Sequence, residues 1–75
     1  MDNEDTLYTK LSNRERQILQ LMAEGQSRKE MAIFLHISVK TVETHQQNIK
    51  YKLGIKSLVG LTKFAVREGL TPLGS

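Results

Sequence analysis

Lys40, Glu43, Thr44, Gln47 and Tyr51 recur at intervals of three or four residues, a spacing that gathers them on one side of a helix. The set combines a cation, a carboxylate, a hydroxyl with its methyl, an amide and a phenol. Such variety suits the edge of a base pair, which itself presents donors, acceptors and a methyl in fixed order. Thr44 can meet the thymine methyl with its own, and Gln47 can bond adenine through its amide. Ionised Glu43 only accepts, so a cytosine amino group is its natural partner. Glu43, Thr44 and Gln47 are therefore the expected base readers. Arg28, Lys29, Lys40, Lys50 and Lys52 can each neutralise a phosphate, a contact that fixes register and carries little sequence information. The plain alternatives are a solvated charged face for the lysines and, for Glu43, an intrahelical pair with Gln47 or Lys40.

The element that must carry these residues is Ser38 to Gly54, SVKTVETHQQNIKYKLG. Val39, Val42, Gln46, Ile49 and Leu53 recur at the same intervals on its other side and predict a stripe that packs inward. Ser38 is expected as N-cap, with Thr41 at the third helical position to receive it. Gly54 supplies the left-handed residue that ends the helix. Upstream, Ser12 with Glu15 and Ser27 with Glu30 make two capping boxes, which predict helices over about 13–24 and 28–35. Ile18, Leu19, Leu21, Met22 and Ala23 form the inward side of the first, and Gly25 its stop. Met31, Ala32 and Leu35 form that of the second, with Ile33 and Phe34 as partial additions. Only His36, Ile37 and Ser38 separate the second helix from the third, and so short a turn forces a steep crossing, the geometry of a helix-turn-helix. Ser57 caps a fourth helix over about 58–68, with Leu61, Phe64 and Ala65 inward, Gly69 as stop and Pro72 barring continuation. No stretch alternates with a period of two. The expected fold is a compact all-α domain of four helices, 39–53 being the third.

The chain has 75 residues, room for one small domain, and no cysteine, so it holds neither a disulfide framework nor a thiolate metal site. No apolar run of membrane-spanning length and no signal segment occur, and a cytoplasmic setting is the simplest expectation. The net charge of +3 is unevenly placed. Asp2, Glu4 and Asp5 face only Lys10 among residues 1–11, whereas residues 12–75 hold ten basic and five acidic side chains. Residues 1–10 read as a linker or disordered segment, 11–70 as the folded, basic part, and 71–75 as a loose tail. A basic domain is compatible with a polyanion partner.

Three segments in order, LSNRERQILQLMAEGQSRKEMAIFL, ISVKTVETHQQNIKYKLGI and LTKFAVREGL, resemble the LuxR-type helix-turn-helix domain of NarL/FixJ response regulators and GerE-like proteins. The resemblance covers about residues 11–70. It implies a four-helix domain that binds double-stranded DNA to regulate transcription, with the third helix in the major groove and the fourth supporting dimerisation. It also implies that Lys40 to Gln47 face the DNA, with Thr41 near a phosphate. The start of the second helix, Ser27, Arg28 and Lys29, would approach the backbone. The corresponding expectation is the output domain of a two-component response regulator, with RNA polymerase as a further candidate partner and no cofactor.

Leu58, Val59, Thr62 and Val66 give the fourth helix a second apolar side, more than one small core requires. A weak homodimer through these four residues, formed on DNA, is the expected assembly. Packing against Leu7 and Tyr8, or against another domain, is the alternative. His45 and His36 without cysteine lack a zinc ligand set, so His45 is expected to bond backbone or phosphate. The acidic residues after Leu11 are scattered, with no nucleophile and base or paired carboxylates, and no enzyme is expected. The rival readings are a protein-interaction module or a sigma-factor-like promoter reader. A protein-docking third helix would expose apolar anchors where this one carries Lys, Glu, Thr and Gln.

Overall fold

The computed structural model describes residues 10–67. Expectations for Leu7, Tyr8, Gly69 and Pro72 lie outside the described residues. Four helices follow in order: α1 Asn13–Ala23, α2 Arg28–Leu35, α3 Val39–Leu53 and α4 Leu58–Arg67. α1 packs against both α3 and α4, and α2 packs against α3. α1 is one residue shorter than expected, because Glu24 already serves as its C-cap.

Each start is a serine. Ser12 and Ser27 sit in extended backbone and complete both reciprocal bonds of a capping box, with Glu15 and Glu30 respectively. Ser38 accepts the Thr41 amide at 3.0 Å, and Ser57 accepts the Gly60 amide at 3.0 Å. Three ends share a second device. The amides of Gln26, Ile37 and Ile55 each donate to the carbonyl five residues back, on Leu21, Ala32 and Lys50, at 3.0 Å. That bond requires a left-handed residue between helix and turn. Gly25 and Gly54 supply it at φ 88° and 69°, and His36 supplies it at φ 59°. The left-handed histidine was not among the sequence expectations, yet it is what turns α2 into α3.

The core joins Leu11, Ile18, Leu19, Leu21 and Met22 to Met31 and Ala32, then to Val42, Ile49 and Leu53, and finally to Leu61, Phe64 and Ala65. Ile18, Leu19, Val42, Ile49, Leu61 and Ala65 are wholly enclosed. Two expectations need correction. Val39 is 40% exposed, because it opens α3 ahead of the stretch that α1 and α2 cover. Ile33 and Phe34 are exposed rather than partly inward, since the short α2 buries only Met31 and Ala32 fully and turns its other side outward. Gly60 marks a close approach: a β-carbon there would lie 2.7 Å from Cγ2 of Ile55. No helix among the described residues is long and apolar enough to cross a membrane.

Candidate nucleic-acid interface

With Val42, Gln46, Ile49 and Leu53 buried, the opposite side of α3 is turned out. Lys40, Thr44, Gln47 and Tyr51 are exposed, and Glu43 is half-buried beside them. α3 is 15 residues long, roughly 22 Å at 1.5 Å per residue, and a single helix of this kind fits the major groove. The Thr44 hydroxyl donates to the Lys40 carbonyl at 3.1 Å, so its oxygen lone pairs and its methyl are what a partner would meet. Thr41 is held at the first turn, its hydroxyl 2.8 Å from that of Ser38.

The start of α2 lies beside the middle of α3. Nε of Arg28 donates to Oε1 of Gln46 at 2.7 Å, and Nη1 stands 3.5 Å from Oε2 of Glu43. This interhelical contact replaces the intrahelical pair weighed for Glu43. Ser27 and Lys29, the neighbours of Arg28 in sequence, are exposed. At the far end, Gln47, Lys50 and Tyr51 line a shallow groove of about 360 Å³ with Gly54, Ile55 and Lys56. Tyr51 lies on the same outward stripe as Gln47, as its spacing predicts, whereas Lys56 was not among the candidate site residues.

Lys52 goes elsewhere. Its Nζ donates to Oε1 of Glu15 at 2.8 Å, tying the last turn of α3 to the first of α1. The Glu15 carboxylate also accepts the Ser12 amide. Burial pushes its pKa up, but the Lys52 hydrogen bond, the Ser12 amide and the Lys52 charge together hold it below its ordinary value. Within the half-buried His45, Nδ1 is enclosed and meets no hydrogen-bonding atom among the described residues. The expected backbone bond is therefore not made from that atom. On α4, Val59 and Val66 are exposed, while Leu58 and Thr62 are half-buried.

Residues 9–65 match the family described as bacterial regulatory proteins, luxR family (GerE). The chain is 53% identical over 60 residues to the "Uncharacterized response regulatory protein YgeK" of Escherichia coli, a match that covers 80% of this chain and 41% of that protein. It is 45% identical over 73 residues to the "Oxygen regulatory protein NreC" of Staphylococcus aureus, covering 91% of this chain and 34% of that one. The chain thus spans well under half the length of these relatives.

Proposed function

Because the chain belongs to the luxR family of bacterial regulatory proteins, a DNA-binding helix-turn-helix domain of transcription regulation and not an enzyme, we propose that it lays α3 in the major groove. There Glu43, Thr44 and Gln47 read base edges. Ser27, Lys29, Lys40, Thr41 and Lys50 hold the phosphate backbone, with Arg28 and Lys52, which already have carboxylate partners, at the rim of that set. The observation that carries this reading is the exposed polar side of α3, backed by buried Val42, Gln46, Ile49 and Leu53 and flanked by the basic start of α2. Residues 11–70 form the DNA-binding unit.

The unit serves as the output domain of a two-component response regulator in the cytoplasm, in line with the relatives' names. RNA polymerase is its further partner at a promoter. Two copies pair weakly on DNA through Val59 and Val66, with Leu58 and Thr62 at the margin, since Val59 and Val66 leave apolar surface open on α4. Selection from a randomised duplex pool tests the reading. Enrichment of a two-fold symmetric motif is the expected result, and no enrichment over bulk DNA would overturn it.

A further inference from the structure

Arg28 stands at the first position of α2, yet its guanidinium crosses to α3, donating to Gln46 at 2.7 Å and standing 3.5 Å from Glu43, nearly one helical turn away. Gln46 is buried, and its amide nitrogen is turned to Sδ of Met22 at 3.5 Å, so its oxygen is left for Arg28. Glu43, at 3.5 Å from Nη1 of Arg28, is engaged through Oε2 alone. A bare carboxylate on a reading side would be repelled by the phosphates that flank every base edge. Arg28 offsets that charge at its source and leaves Oε1 free to accept.

We propose that Arg28 is a positioning residue for sequence readout: it aims Glu43 at the amino group of one cytosine, and does not serve mainly as a phosphate anchor. The inference rests on the reading of Glu43 given above. The fork geometry is essential to it. An ammonium is a point charge on a flexible stem and cannot present Nε and Nη to two acceptors at fixed spacing. Arg28→Lys therefore keeps the charge and loses the aim, which separates positioning from phosphate neutralisation.

The wild-type protein is first used to select a duplex from a randomised pool. Affinities of wild type, Arg28→Lys, Arg28→Ala, Glu43→Gln and the Arg28→Lys/Glu43→Gln pair are then measured on that duplex and on duplexes substituted at each base pair, across a range of salt. Both Arg28 variants should lose roughly tenfold discrimination at a single base pair, the one at which Glu43→Gln loses it. The double variant should lose no more, and the salt slope of Arg28→Lys should match wild type. Uniform weakening by Arg28→Ala, with the slope reduced by about 1 and Arg28→Lys restoring it, would overturn the proposal. So would a preference changed by Glu43→Gln and left intact in Arg28→Lys. If wild type selects no motif, the DNA-reading proposal falls and takes this one with it. A selected motif that Arg28→Lys reads as wild type does brings down this inference alone.

Discussion

Glu15 is 4% exposed, and its carboxylate is held by Lys52 and the Ser12 amide. Since its folded-state pKa is depressed, the stability it contributes is present above the ordinary value of 4.5 and is lost as pH falls through the folded value. Glu15→Gln keeps the capping geometry and removes the charge. Lys52 is about a third exposed, so solvent screens the pair. The variant should be less stable than wild type by about 1–2 kcal/mol near neutrality, with the gap closing as pH falls below the ordinary carboxyl value of 4.5. Urea unfolding on both sides of that value decides it, and a gap independent of pH would remove the ion pair from the account. On the DNA side, Gln47→Ala should cost about 1–3 kcal/mol on the selected duplex and far less on random DNA. Lys40→Ala should weaken both alike and lower the salt slope by about 1. Titrations at several salt concentrations separate the two roles, and equal losses for Gln47→Ala on both duplexes would end its part as a reader.

The turn between α2 and α3 depends on His36 in a left-handed conformation at φ 59°. An L-residue there carries about 1–2 kcal/mol of strain, and glycine avoids it while gaining some freedom in the unfolded chain. His36→Gly should raise stability by about 0.5–1 kcal/mol, a shift of a few degrees in Tm for a domain of this size. Thermal unfolding beside His36→Ala, which keeps the strain, provides the check; a lower Tm for the glycine variant would show that the imidazole itself holds the turn. The serine caps, Gly25, Gly54 and the inward stripe were legible in the sequence because each is a local signal, written within four residues. The left-handed His36 was not, since histidine is not the residue that announces such a turn. Periodicity placed Val39, Ile33 and Phe34 toward the core, but burial depends on which element lies opposite, and that is a tertiary fact. The Arg28 fork spans 15 and 18 positions and the Lys52–Glu15 pair spans 37. Bonds of that reach leave no trace in helical spacing, so neither carboxylate partner was legible in the sequence.

The described part of the molecule measures 36 × 26 × 21 Å. Successive major grooves lie about 34 Å apart along B-form DNA, a spacing close to the longest dimension of one copy. In the proposed dimer Val59, 65% exposed, and Val66, 55% exposed, supply the contact. Val59→Glu should abolish cooperativity on a duplex with two half-sites and spare binding to a single half-site; sedimentation and titration on both duplexes measure this. Non-cooperative binding by wild type would count against the pairing. At this scale the two stripes of α3 have a consequence for descent. Thr44, Gln47 and Tyr51 lie outside the core that Val42, Ile49 and Leu53 help to build, and surface changes of that kind usually stay within about 0.5 kcal/mol. Under the proposed reading, changes at Thr44 and Gln47 can thus alter the target site without passing through an unfolded ancestor. Glu43 is the exception, because Arg28 reaches it from α2 and a change at one alters the surroundings of the other.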